Sequence, residues 1–97
     1  MRIIARSTLK EYWDKEPEAE QALKAWFAEA KIAQWKNPVE LKAKYGNASI
    51  LKDGRAVFNI CGNDYRLVVR INYAVAVIYI RFVGTHEEYD AIDAQTI

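Results

Sequence analysis

The hydrophobic pattern of the chain changes period once, near residue 48. Before that point apolar residues recur at three- and four-residue spacing; after it they alternate or run together, as strands do. Arg2-Ile3-Ile4-Ala5 reads as a short opening strand. Thr8-Leu9-Lys10-Glu11 has capping-box spacing and predicts a two-turn helix from Thr8, with Leu9, Tyr12 and Trp13 as its buried stripe. Pro17 ends that helix or opens the next, because proline is tolerated only in a first turn. The second helix is predicted from Glu18 to Trp35, with Ala19, Ala22, Leu23, Trp26, Ala30 and Ala33 at helical spacing. At that spacing Trp26 belongs to the core rather than to a base-stacking platform. Asn37-Pro38 caps a short third helix through Lys44, which Gly46 stops.

The second half reads as strands. Asp53-Gly54 is a hairpin signal, Ala56 to Ile60 a strand, and Cys61-Gly62-Asn63-Asp64 a second turn. Tyr65 to Asn72 follows, then a tight turn near Tyr73-Ala74 and a strand from Val75 to Val83. Arg81 is the only charge in that last strand, which is therefore expected to be central and covered on both faces. Thr85-x-x-Glu88 is a second capping box, opening a helix through Asp93. The expected fold is α+β: one domain over residues 1–97, with a small antiparallel sheet, two N-terminal helices on one face and a short C-terminal helix. The other sheet face is left partly free.

Composition narrows the class. At 97 residues the chain has room for one modest core. No apolar run approaches the ~20 residues of a membrane span, and the amino terminus is too short in apolar residues for a secretory signal. A lone cysteine, Cys61, fits a reducing cytoplasm. Net charge is only +1, but it is unevenly spread. Residues 1–30 hold five basic and six acidic side chains, residues 31–83 nine basic and three acidic, and the last fourteen residues four acids and no base. A basic middle between acidic ends allows a local cationic surface.

Candidate chemistry gathers at strand ends. His86, the only histidine, is expected at the start of the last helix, where unpaired N–H groups favour an anion such as phosphate. A neutral imidazole there serves as a base and a protonated one as an acid or phosphate clamp; the alternative is a plain contribution to the cap. Period-two alternation puts Arg66 on one face with Val68, Arg70 and Asn72, opposite Tyr65, Leu67, Val69 and Ile71. The second set reads as core. The first offers two guanidiniums, suited to bidentate contact with phosphate, unless neighbouring acids claim them. Arg81, in an apolar strand, needs a partner, and an acid of the last helix is the expected one. Tyr89 lies one turn after His86, where it either meets a base or packs on the sheet. No His/Cys set has zinc-ligand spacing and the glycines lack phosphate-loop spacing, so no metal or cofactor is expected.

Several segments together resemble the HigB toxins of bacterial type II toxin–antitoxin systems. They are Ser7 to Trp13, Trp35-Lys36-Asn37-Pro38, Val57-Phe58-Asn59-Ile60, Asn63 to Val69, and most specifically Tyr79-Ile80-Arg81-Phe82-Val83-Gly84-Thr85-His86-Glu87-Glu88-Tyr89-Asp90. The resemblance implies a RelE-like fold, cleavage of messenger RNA on the ribosome, and a cognate antitoxin of helix-turn-helix type as partner. Carried over by motif, Arg66 stabilises the transition state and His86 transfers protons. Asn59, Arg81 and Tyr89 become RNA contacts and Lys42 an RNA or ribosome contact; Arg70, on the strand face of Arg66, is taken as a further RNA contact. The family often has Gly-Gly-Asn where this chain has Cys61-Gly62-Asn63. A non-catalytic RNA-binding module or translation regulator on the same scaffold is the alternative reading.

Overall fold

The computed structural model describes all 97 residues, Met1–Ile97. Strand β1 (Arg2–Ile4) leads directly into helix α1 (Arg6–Lys15), and a 3-10 turn at Pro17–Ala19 leads into α2 (Glu20–Ile32). Helix α3 (Pro38–Lys44) precedes strands β2 (Ser49–Ile50), β3 (Arg55–Ile60), β4 (Tyr65–Asn72) and β5 (Val77–Thr85), and α4 (His86–Asp90) follows. The sheet order is β1-β5-β4-β3-β2. All pairings are antiparallel except that of β1 with β5, which is parallel. The α+β architecture thus matches the expectation, with the opening strand added to make the sheet mixed. No helix is long and apolar enough to cross a membrane.

One sheet face carries the main core. Ala56, Phe58 and Ile60 of β3, Leu67, Val69 and Ile71 of β4, and Ile78 of β5 pack against Leu9 and Trp13 of α1 and Leu23, Trp26 and Ala30 of α2. Phe58 is its hub: the rings of Trp26 and Tyr45 approach it edge-on at 5.3 and 5.0 Å, and Trp35 stacks at 6.3 Å. Such pairs add ~0.5–1.5 kcal/mol each beyond the area they bury. Trp26 is therefore core, as its spacing implies.

Three local expectations are revised. The Thr8–Glu11 capping box does not form, because α1 begins two residues earlier, straight after β1, and leaves Thr8 inside the helix. Helix α2 stops at Ile32 rather than Trp35. The chain turns there so that Trp35 enters the core, and the Met1 amino group donates to the freed carbonyls of Ala30, Lys31 and Ala33 at 3.2, 2.8 and 2.9 Å. The C-terminal helix ends at Asp90, not Asp93, and the residues after it fold back over the sheet. Two other caps are as read: the Asn37 side chain accepts from the Glu40 N–H at 3.0 Å, and Thr85 and Glu88 make both halves of their capping box.

Phe58→Ala removes a ring with three aromatic neighbours and a fully buried position, so a loss of about 3–5 kcal/mol is expected in urea unfolding. An unchanged midpoint would show that the core is organised otherwise.

Candidate active site

The sheet face away from α1 and α2 is built in three rows by the strand register. Asn59, Arg66 and Gly84 lie side by side on β3, β4 and β5; Val57, Val68 and Phe82 form the next row; Arg55, Arg70 and Tyr79 form the third. Alternation along β4 places Arg66, Val68 and Arg70 on this face, as expected from the sequence. The face is not free throughout. Val57 and Val68 are buried beneath Ala94, with Leu51, Phe82, Tyr89, Ile92 and Ile97 packed around them. The C-terminal residues therefore cover the apolar middle row and leave a partly open row on either side, Asn59 and Arg66 half-buried in one, Arg55 half-buried with Arg70 and Tyr79 exposed in the other.

At one end stand Arg66 and His86. The pairing of Tyr65 with Thr85 and of Arg66 with Gly84 brings the start of β4 against the end of β5, and the His86 N–H donates to the Asp64 carbonyl at 3.1 Å. The Arg66 guanidinium donates through Nη1 to the Asn63 and Tyr65 carbonyls at 2.8 and 3.2 Å, which fixes the group without neutralising it. His86 Nδ1 lies 3.5 Å from the Asp90 carboxylate across one helical turn, while more than half of the side chain is exposed. That contact orients the ring and leaves Nε2 as the nitrogen without a partner. Neither residue lines one of the main concavities. The pair occupies an open shelf.

Helix α4 is held in place from two sides. Glu88 accepts from the Thr85 N–H at 2.8 Å, Thr85 accepts from the Glu88 N–H at 3.1 Å, and the Tyr12 hydroxyl of α1 donates to Glu88 at 3.4 Å. The Thr85 N–H above all holds the Glu88 carboxyl below its ordinary value of 4.5, with smaller help from the Thr85 and Tyr12 hydroxyls and Lys15, against an opposing effect of burial. Burial first, then the Glu88 charge, pushes the Tyr12 hydroxyl up. Gly84 completes the fit, since a Cβ there would lie 2.6 Å from the Phe82 ring and 3.1 Å from Glu88 Cβ.

The remaining site residues divide. Asn59 sits beside Arg66 in the same row. Arg70 is four residues along β4 from Arg66, about 13 Å at strand rise, and donates to the Asp53 carbonyl at 3.2 Å. Arg81 is neither buried nor paired with an acid of the last helix. Val69 faces Ile80 while Val68 faces Phe82, so Arg81 is the extra residue of a bulge that turns it outward toward Arg70. For the same reason β5 is interior in the sheet but not covered on both faces. Tyr89 packs half-buried on the apolar row rather than beside His86. Lys42 stands apart on α3, where its ammonium donates to the Ala48 carbonyl. Three contributors were not legible as site residues: Arg55, Gly84 and the Tyr12–Glu88 link. Alternation from Asn59 back through Val57 would have found Arg55 had the strand been started one residue earlier.

The chain's ion pairs are Lys10–Asp14 and Lys24–Glu20, and the remaining close contact of this kind is His86–Asp90. None involves Arg55, Arg66, Arg70 or Arg81, so the acids near them do not claim these guanidiniums. An α+β sheet backed by two helices, with a short capped helix after its last strand, is consistent with a RelE-like fold. Residues 19–92 match the HigB toxin family, described as the RelE-like toxic component of a toxin–antitoxin system. The mRNA interferase toxin HigB of Escherichia coli (strain K12) is 33% identical over 96 residues, covering 97% of this chain and 92% of that protein. The mRNA interferase HigB of Shigella flexneri shows the same identity and coverage. That of Escherichia coli O6:H1 is 24% identical over 94 residues, covering 95% of this chain and 91% of the relative. The chain belongs to the HigB toxin family, whose members act opposite an antitoxin.

Two outcomes test how α4 is anchored. Gly84→Ala forces Phe82 and Glu88 apart, and a loss of about 1–3 kcal/mol is expected in chemical denaturation. For Glu88 the folded carboxyl titrates below the unfolded one, so its stabilisation is present above 4.5 and is lost as pH falls through the folded value. Glu88→Gln should lower Tm at neutral pH, and the gap to wild type should close under acid. A gap that stays constant with pH would show that the charge of Glu88 contributes nothing.

Proposed function

We propose that this chain is an endoribonuclease that cuts messenger RNA by internal transesterification. The ribose 2′-OH attacks the adjacent phosphorus in line, the bond to the 5′-oxygen breaks, and the products are a 2′,3′-cyclic phosphate and a free 5′-OH. His86 Nε2 accepts the 2′-OH proton and returns it to the departing 5′-oxygen, ending as it began. Arg66, held by the Asn63 and Tyr65 carbonyls, stabilises the added negative charge on the phosphoryl oxygens. Asn59 beside it and Arg70 further along β4 contact the flanking backbone.

The observation that carries this reading is the register that sets Arg66 next to Gly84, and so beside the helix that begins at His86. The names of the relatives, mRNA interferases, support the substrate class. An open shelf with so few groups does little to orient a flexible strand. We assign that work to the ribosome, which presents the message already extended, so that positioning is supplied by the substrate's own carrier. The antitoxin, of helix-turn-helix type, silences the toxin in the cytoplasm by covering this face or by preventing entry to the ribosome.

The test is cleavage of ribosome-bound message by purified wild type, Arg66→Ala and His86→Ala. Losses of about a hundredfold or more are expected for each variant, with folding unchanged by circular dichroism. Full cutting by both folded variants would remove this site. Absence of cutting by wild type, with RNA still bound, would favour a binding module.

A further inference from the structure

At the far end of the open face from His86, a concavity of about 600 Å³ gathers Arg55, Arg70 and Arg81 with the exposed ring of Tyr79. Three guanidiniums share it, and none forms an ion pair with a carboxylate side chain. Asp53 also lines the concavity, so three guanidiniums face one side-chain carboxylate that pairs with none of them, and the excess of positive charge favours a bound anion. What they hold instead is main chain. Arg55 Nη1 donates to the Ile97 carbonyl, and Arg81 Nε donates to the same oxygen at 3.2 Å. Residues 93–97 are shaped for this contact. Asp93 Oδ1 accepts the Gln95 N–H at 2.9 Å, the Asp93 carbonyl accepts from Thr96 and Ile97, and Gln95 Oε1 accepts the Lys52 N–H at 3.4 Å. Ile92, Ala94 and Ile97 rest on Val57, Val68 and their neighbours.

We infer that Arg55, Arg70 and Arg81 form a second backbone-phosphate site for RNA, and that residues 93–97 occupy it in cis as a displaceable latch. The inference rests on the reading that RNA crosses this face. RNA is favoured over an acidic peptide because Arg70 and Arg66 point from the same face of one strand about 13 Å apart, a span a few nucleotides bridge. Tyr79, in the row of Arg55 and Arg70, presents a ring on which a base stacks. A strand running from Arg66 to Arg70 crosses the Val68 row, which the C-terminal segment now covers. The segment must therefore lift for both ends to be used at once. It offers the two guanidiniums a single oxygen, whereas a backbone phosphate presents two non-bridging oxygens that match a guanidinium bidentately.

The experiment uses the full-length chain and a short 2′-O-methyl oligoribonucleotide, which binds without being cut. Asp93→Ala combined with Ile97→Gly removes the turn and the apolar anchor while leaving the main core untouched. Binding should tighten about fivefold or more relative to wild type. In that released chain, Arg55→Ala and Arg81→Ala should each weaken binding and reduce the slope of log affinity against log salt by about one. In the latched wild type the same substitutions should change affinity less, since they free the segment as they remove a contact. Equal affinity of the released and wild-type chains, both folded by circular dichroism, would overturn the latch. Salt slopes unmoved by either arginine substitution, or a glutamate-rich peptide that binds where the oligonucleotide does not, would overturn the phosphate site. Because binding is read without cleavage, these outcomes are separate from loss of cutting in the Arg66 and His86 variants.

Discussion

The register of β4 between β3 and β5 is the constraint on which the rest of the molecule depends. Leu67, Val69 and Ile71 must face α1 and α2, because they are buried there and nothing else fills the space between helices and sheet. A slip of one residue would turn Arg66 and Arg70 into that core and expose the three aliphatic side chains. Burying two guanidiniums without partners costs several kcal/mol each, so no nearby alternative competes. Once β4 is set, the rows on the opposite face are set with it: Arg66 beside Asn59 and Gly84, Val68 beside Val57 and Phe82, Arg70 beside Arg55 and Tyr79. The placement of Arg55, Arg66 and Arg70 is thus a consequence of hydrophobic burial on the other side of the sheet.

That face is electrostatically divided although the chain as a whole is nearly neutral. Four arginines stand on it without carboxylate partners, while much of the acidic complement lies on the helices and in the last residues. An apolar ridge separates Arg66 from the other three, and the C-terminal residues lie along that ridge. Net charge would have excluded nucleic acid as a partner; charge position does not, because screening limits each field to roughly a Debye length of about 8–10 Å. Membership of a toxin family makes sense of leaving such a face open. A toxin component has an antitoxin as its partner, and a flat shelf of unpaired donors offers it a surface to meet.

The shelf itself is firm. His86 is carried by a helix of little more than one turn, which would not persist alone. The reciprocal Thr85–Glu88 cap, the hydrogen bond from Tyr12 and the contact of Gly84 with Phe82 and Glu88 tie it to β5 and to α1. Cys61 shows the opposite economy. It adopts φ of 54°, with Gly62 following at 67°, so the turn next to Arg66 takes its left-handed shape with a single glycine.

Much of this was legible in the chain alone because its causes are local. Period-two alternation decided the faces of β3 and β4, helical spacing decided the inner stripe of α2, and the Asn37 and Thr85 caps depend only on residues three positions away. The motifs around Arg66 and His86 sufficed to place both at one end of one sheet. Contacts between residues remote in sequence were beyond such reasoning. Whether Thr8 caps a helix depended on β1 joining β5 and running straight into α1, and whether Arg81 is buried depended on a bulge opposite Val68 and Val69. The fate of the last seven residues depended on Val57 of β3 and Val68 of β4, distant in sequence, which needed a cover. Periodicity tells which side chains avoid water; only the folded chain decides which distant segment keeps the water away, because that choice is settled by competition among all the surfaces present at once.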